Sequence, residues 1–351
     1  MALKYRQIAD RITEIIKQNQ KKGIDKLPTE AQLCARYHVS RQTVRRALDQ
    51  LARDGVIVKK RGSGSYITGL SPDPIENTVA LLVNTDTEYI YPELISRFQS
   101  LLYQHGLSLQ VFVTDSDPAR ERQILSDLLL SPVSMLLAEG SLSSLPTPNT
   151  DLYLAWKQSG RAAVFFHSRY PNLELFPIVT TDDRAGAYRL TGRLHDRGHQ
   201  RIGGIFCRDD AQDIERYLGF LEAMRDLDLP LRDSSVSWID ARSVRALRHT
   251  YDGPLLVRLY DHLVGNCTAI VTGNDELAYW LSAHLGTLFS AHDPGLTLGS
   301  FHRTYLEASQ KLPVIYATLP PDEPARSAVS LLLQQKKGLP VRSQEIPWQF
   351  L

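Results

Sequence analysis

Residues 27–67, LPTEAQLCARYHVSRQTVRRALDQLARDGVIVKKRGSGSYI, constrain the fold of this chain more than any other stretch. Pro28 keeps the chain before it out of helix, and Thr29 has the side chain to cap a helix beginning at Glu30. That helix is expected to pack Leu33, Ala35 and Tyr37 and to break at His38 and Val39. Ser40 then caps a second helix, with Val44, Ala47, Leu48 and Leu51 at helical spacing and Arg41, Gln42, Arg45 and Arg46 on the other face. Two helices at a tight corner, the second with a basic and amide-bearing face, form a helix-turn-helix that fills a major groove. Val56–Val58 and Ser65–Ile67 read as strands of a wing, joined through Lys59, Lys60, Arg61, Gly62, Ser63 and Gly64. Cations and glycines at such a tip let charge and backbone approach phosphates. A basic run alone would be a solvated hairpin; helix, corner and wing in this order point to nucleic acid. Upstream, Tyr5, Ile8, Ala9, Ile12, Ile15 and Ile16 share one helical face, either core beneath the second helix or a dimer seam.

Over residues 2–68 the chain resembles the winged helix of the GntR family of bacterial transcription regulators. The residues that carry the likeness are Pro28-Thr29-Glu30, the VSRQTVRRAL run Val39–Leu48, Leu51–Ile57 and Gly62-Ser63-Gly64. The resemblance implies that Arg41 and Arg45 face base edges or flanking phosphates, with Gln42 and Thr43 beside them. It also implies that Thr29 and Ser40 belong to the contact set and that Lys60, Arg61 and Gly62 track the minor groove. Two positions depart from the family: Ala31 stands where many members carry a DNA-touching Arg, and His38 replaces a usual Gly at the corner. His tolerates a left-handed backbone better than most residues.

Charge is divided along the chain. Residues 1–70 hold seven Lys and eight Arg against six acids, a formal +9; with +1 for the whole chain, the remainder carries −8. A basic head on an acidic body implies a polyanionic partner for the head alone. Cys34, Cys207 and Cys267 are few, odd and widely spaced, which suits reduced thiols better than a disulfide framework. With no apolar leader and no run of membrane-spanning length, the expected location is cytoplasmic, away from any membrane.

Gly69, Pro72 and Pro74 mark a semi-stiff connector. Beyond it, short apolar runs alternate with amphipathic stretches. Strands are expected at 79–83, 109–113, 133–138, 162–166, 202–206, 236–239, 268–272 and 296–300. Helices are expected near 92–105, 119–130, 151–160, 185–198, 212–226, 255–264 and 274–287. Such alternation means parallel sheets covered on both faces, and two sets of it mean two lobes with a ligand cleft between them. The expected fold is an N-terminal winged helix-turn-helix (α+β) joined to an α/β two-lobed domain. The divisions are 1–68 for the DNA-binding domain, 69–77 for the linker and 78–351 for effector binding and dimerisation. Lobe 1 is placed at about 78–168 plus a C-terminal segment of about 310–335, and lobe 2 at about 178–300.

From residue 78 to about 350 the chain resembles LacI-type repressors and periplasmic sugar-binding proteins. The motifs are Thr114-Asp115-Ser116-Asp117-Pro118 with Glu121 and Leu125, Thr181-Asp182-Asp183 leading to Gly198-His199, Glu215-Arg216 with Gly219-Phe220, and Thr272–Ala278. A GntR head on this body resembles the AraR-type subgroup of carbohydrate-responsive repressors. The resemblance places effector contacts at strand ends. Arg216 is the leading candidate, since a guanidinium forks onto hydroxyl pairs; its bland alternative is an ion pair with Asp213 or Glu215. Asn274 would orient hydroxyls, and Asp275 either does the same or caps the helix. Tyr89 and Tyr91 either stack on a sugar face or form a packed lid. Trp238 either walls the cleft or is ordinary core. His167 and His302 stand where relatives carry acids, with Arg303 beside the latter, so the cleft is expected to be short of acid and its effector to bear an anionic group.

Catalysis finds no support. His195 and His199 have zinc-ligand spacing but lack the Glu of a zincin, and no phosphate-cradling loop or nucleophile elbow appears. No metal and no cofactor is expected. The sequence therefore reads as a DNA-binding regulator, a repressor of carbohydrate genes. Its partners would be near-palindromic double-stranded operator DNA, a sugar-like effector and a second copy of itself in a homodimer. The alternatives are a ligand-blind dimerisation body or, further off, a fused enzyme.

Overall fold

The computed structural model describes residues 5, 8–9, 11–13, 15–16, 19, 26–37, 39–53, 56–60, 64–67, 77–249, 253–260, 263, 266–288, 296–320 and 322–350. The chain divides into two compact units, Met1–Thr78 with His105–Ser108, and Val79–Gln104 with Leu109–Leu351.

In the head, Thr29 closes a capping box. The Gln32 N–H donates to Thr29 Oγ1 at 3.3 Å and the Thr29 N–H donates to Gln32 Oε1 at 2.8 Å, which starts the helix Glu30–Tyr37. Ser40 Oγ accepts the Thr43 N–H at 3.3 Å and opens the second helix, Arg41–Arg53. Val44, Ala47, Leu48 and Leu51 bury against Ile8, Ile12, Ile15 and Ile16, so the upstream apolar stripe is core. Truncating fully buried Ile12 to Ala would cost about 2–5 kcal/mol. One packing expectation fails: Ala35 is exposed and half-buried Cys34 packs instead. At about 100° per residue, Ala35 lies roughly opposite Leu33 on the helix, whereas Tyr37, one turn on, shares its face.

Ile57–Lys60 and Gly64–Ile67 pair antiparallel, Ile57 opposite Ile67 and Lys60 opposite Gly64. Both isoleucines are buried, which fastens the wing to the helical core. His38, the connector 69–76, Arg61, Gly62 and Ser63 lie outside the described residues, as does the side chain of Lys60.

The body carries two six-stranded sheets. The first runs, in spatial order, Gln344–Ile346, Ile178–Thr181, Ala162–Phe166, Met135–Ala138, Thr78–Val83, Ser108–Val113. The second runs Gln349–Phe350, Val314–Thr318, Thr297–Phe301, Ala269–Thr272, Ile202–Cys207, Val236–Ile239. Their central strands pair parallel and are buried along nearly their whole length, which is why they read as unbroken apolar runs. Around the first sheet, Pro118–Leu130 and Thr150–Gln158 pack on a core of Tyr153, Trp156 and Phe165. In the second lobe, Asp183–Asp196 and Ala211–Asp226 share one core and Gly253–Tyr260 and Asp275–Leu288 another. Gly219 lets the first of these helix pairs touch: a Cβ there would stand 1.9 Å from the Arg184 carbonyl oxygen.

The division between lobes differs from the sequence reading. Ile178–Thr181 pairs with Ala162–Phe166 in the first sheet, and Val314–Thr318 pairs with Thr297–Phe301 in the second. The chain therefore changes lobe at 181–183, between 318 and 323, and at 346–349. Of the segment 310–335 assigned to lobe 1, only the helix Glu323–Lys336 packs there. A strand of four or five residues says nothing locally about which sheet accepts it, since its partners come from long range. The helix Ala241–His249 is likewise additional to the sequence reading. No helix among the described residues is long and apolar enough to cross a membrane.

Candidate functional site

A cavity of about 320 Å³ opens between the lobes of the body. Residues just past the ends of parallel strands supply much of its wall: Asn84, Glu139 and His167 from the first lobe, Asp209, Asn274 and His302 from the second. That is the side of an open α/β sheet on which ligands bind.

The first-lobe wall centres on Glu139. Its carboxylate accepts from Asn84 Nδ2 at 3.1 Å and from Tyr91 Oη at 2.9 Å, while His167 Nδ1 lies 3.0 Å from Oε1. An ionised carboxylate only accepts, so Nδ1 of His167 carries the proton. Burial pushes the Tyr91 phenol up, and the neighbouring Glu139 charge adds to that, so Tyr91 stays a donor.

The second-lobe wall centres on Arg216, in the helix Ala211–Asp226. Its Nε donates to Asp183 Oδ1 at 2.9 Å, and one terminal nitrogen donates to Asp213 Oδ1 at 2.9 Å and to the Gly273 carbonyl at 2.6 Å. The guanidinium lies 4.5 Å from the Phe301 ring centre and 5.6 Å from that of Trp348. Burial works against its charge, but Asp183 and Asp213 more than offset this and its pKa is raised. The other terminal nitrogen, Nη2, lies 2.9 Å from Asp183 Oδ1 in the ion pair, without hydrogen-bond alignment. Asp210, which caps the helix by accepting the Gln212 N–H at 3.1 Å, is pushed up to about 7 by burial and by Asp213. His302 stacks edge-on against Trp348 at 5.0 Å, and burial, then Arg216, pushes its pKa well below the usual imidazole value. It is a neutral group.

Side chains also tie the lobes directly. Tyr89 Oη donates to Asp275 Oδ1, and Asp275 accepts from the Thr304 N–H and hydroxyl, both at 2.7 Å. Arg248 reaches Glu276 at 2.8 Å in its own lobe and Glu88 at 3.3 Å across the gap. Ser143 Oγ accepts the Ala211 N–H at 2.9 Å.

Of the eight expected effector residues, Tyr89, Tyr91, His167, Arg216, Asn274 and His302 line the cavity. Asp275 does not: it is fully buried as the interlobe tie, and it is Asn274 that caps the helix, accepting the Leu277 N–H at 2.9 Å. Trp238 lies outside the cavity too. It sits on the opposite face of its strand from buried Ser237 and Ile239 and packs on Tyr217 at 4.8 Å. Strand alternation dictates this. Arg303 also misses the cavity and pairs with Glu307 at 2.7 Å. The acid-poor cleft is not found: Asp86, Glu88, Asp115, Glu139, Asp209, Asp210 and Asp213 line it against Arg216, Arg245 and Arg248. The acids lie at positions other than 167 and 302, where the histidines stand. Sequence reasoning missed Glu139, Ser141, Ser143 and Asp210, whose one signal is placement just after a buried strand.

On the head, Arg41, Gln42, Arg45 and Arg46 are exposed together on one side of their helix. Ser40 and Thr43 hydroxyls pair at 2.9 Å, and Arg45 rests 3.5 Å from Glu30 while its side chain stays 69% exposed. An ion pair that open is worth under about 1 kcal/mol and yields readily to a phosphate or base. Thr29 is exposed and engaged in its capping box. Lys59, at the base of the tip, pairs with Asp49 at 2.6 Å.

Residues 4–67 match the family model described as bacterial regulatory proteins, gntR family. An arabinose metabolism transcriptional repressor of Halalkalibacterium halodurans is 32% identical over 261 residues, 72% of this chain and 68% of that protein. A repressor of the same description from Geobacillus stearothermophilus is 32% identical over 232 residues, 65% of this chain and 63% of its own length. Among solved structures, a complex of the transcriptional regulator CelR with cellobiose superposes with a TM-score of 0.66 at 17% identity, covering 95% of this chain and 93% of that one.

Proposed function

The chain belongs to the family of GntR-type bacterial regulators that includes the arabinose metabolism repressors, and from that premise we propose that it is a carbohydrate-responsive repressor whose effector is a neutral sugar. The observation that carries the sugar is the character of the cavity wall. Carboxylates outnumber cations on the wall, and of the three lining arginines Arg216 and Arg248 are already paired with acids. Hydroxyl groups satisfy acceptors; a phosphate or carboxylate would face like charge. At about 320 Å³ the cavity is at the small end of ligand sites, which fits one or two sugar rings.

On this reading two heads in a homodimer read a near-palindromic operator through Arg41, Gln42, Thr43 and Arg45, with Thr29, Ser40, Lys60, Arg61 and Gly62 on the flanking backbone. Sugar acts by favouring one spacing of the lobes, and it can shift operator affinity only by its preference between spacings. The test is anisotropy of a labelled operator duplex titrated with full-length protein, with and without arabinose. Arg45→Ala should cost about 1–3 kcal/mol on operator if it reads a base, and equally on random DNA if it holds phosphate. Operator binding that no sugar changes would leave the body as a dimerisation scaffold.

A further inference from the structure

Behind the first-lobe wall lies a second polar group that never reaches the cavity. Glu121, in the helix Pro118–Leu130, is fully buried. Its carboxylate accepts from Tyr153 Oη, from Tyr170 Oη at 2.9 Å and from Asn149 Nδ2 at 3.0 Å. Burial raises the Glu121 pKa, and those donors pull it back.

From there a chain of hydrogen bonds runs outward. Because the Tyr170 hydroxyl donates to Glu121, its oxygen is free to accept, and it takes the backbone N–H of Ser141 at 2.8 Å. Ser141 Oγ donates to Thr114 Oγ1 at 3.0 Å, and Thr114 Oγ1 has two acceptors in reach, Asn84 Oδ1 at 3.2 Å and the Val83 carbonyl at 3.3 Å. The Asn84 amide turns its oxygen to Thr114 and its Nδ2 to Glu139, at 3.1 Å. Thr114 is fully buried and Ser141 nearly so. Ser141, Asn84 and Glu139 line the cavity, so the buried Glu121 is joined to its wall through the Ser141 backbone. Networks of this kind hold a unique arrangement only while every member is satisfied.

We propose that Glu121 is a positioning residue for effector recognition: through Tyr170 and the Ser141 backbone it holds the loop of the first-lobe wall in place, and with it the hydroxyl pattern the cavity accepts. The inference rests on the sugar reading above. Replacing the carboxylate by an amide sets an N–H against one of the donors Tyr153, Asn149 and Tyr170 and displaces the cluster, while Tyr170→Phe removes the link to Ser141 outright. The Ser141 N–H then loses its partner and the loop after the strand Met135–Ala138 loosens.

The test uses full-length protein, with Glu121→Gln, Tyr170→Phe and, as a control, Phe176→Leu, a buried neighbour of Tyr153 outside the network. Calorimetry measures affinity for L-arabinose and for its deoxy analogues, and hydrogen exchange measures protection of the Ser141 amide without ligand. Both network variants should weaken arabinose about tenfold, the effect of one misplaced hydrogen bond, and should flatten the preference over deoxy analogues. Both should also lose Ser141 protection. The control should lower thermal stability while leaving preference and protection intact. Unchanged preference and protection in Tyr170→Phe would overturn the proposal, whether or not Glu121→Gln folds. If the wild type binds no sugar, the sugar reading falls, and Ser141 protection alone then decides whether Glu121 holds the wall.

Discussion

On the first-lobe wall Glu139 accepts hydrogen bonds from an amide, a phenol and an imidazole, whereas on the second-lobe wall Arg216 is a buried cation between two carboxylates. Both walls present polar atoms to one cavity, but they respond differently to damage. A hydrogen-bonded wall can lose one partner and keep its fold, at a cost of about 1–3 kcal/mol. A buried charge cluster cannot lose its centre, because the remaining charges stay buried without compensation. The first lobe is therefore the place where specificity can be tuned, and the second the place where the fold and the site depend on the same residue.

The most severe way to break this contrast is Arg216→Met. With Asp183 and Asp213 left unpaired, urea unfolding of the body should show a loss of about 3–5 kcal/mol, with effector binding gone as well. A folded, stable variant that merely binds sugar weakly would place the two walls on the same footing. Next comes Glu139→Gln, which sets an amide N–H against Asn84 or His167. Sugar affinity by calorimetry should fall by about 1–3 kcal/mol while the melting temperature moves little. Smaller still is Tyr89→Phe, which removes the tie to Asp275 but leaves Asp275 held by Thr304. Sugar affinity should drop by roughly one hydrogen bond's worth, about 0.5–1.5 kcal/mol, through a more open cleft.

A further effect concerns pH. Asp210, pushed up to about 7 by burial and Asp213, binds its proton more tightly in the folded chain than in the unfolded one. Its contribution to stability is fully present below the ordinary aspartate value of about 4 and is lost as pH rises through about 7. The difference between wild type and Asp210→Asn, followed by thermal melts over this range, should thus shrink the wild-type advantage as pH rises. A difference that grows with pH would mean that Asp210 ionises more easily in the fold than outside it.

The head was legible because its signals are local. Thr29 and Gln32 three residues apart make a capping box, and Val44, Ala47, Leu48 and Leu51 make one face of one helix. The strands of the body were legible for a similar reason, as AAVFF is apolar throughout and AIVT is apolar but for its last residue. Which lobe a strand joins was not. Ile178–Thr181 carries no mark of its partner, and pairing across the hinge is decided by contacts far apart in sequence. The site was legible in part. Family motifs found Arg216, His167 and His302, yet Trp238 was misplaced because its face depends on register, and Glu139 was passed over because one acid after a strand looks like any other. The pairing of Tyr89 with Asp275 joins residues 186 apart, a relation that no local pattern records.

Calorimetric titration of the full-length protein with L-arabinose, arabinose 5-phosphate and arabinonate tests most directly whether this acceptor-lined cleft selects uncharged sugars. Heat of binding from the neutral pentose, with little or none from the two anions, is the expected outcome. Tighter binding of either anion than of arabinose would contradict it.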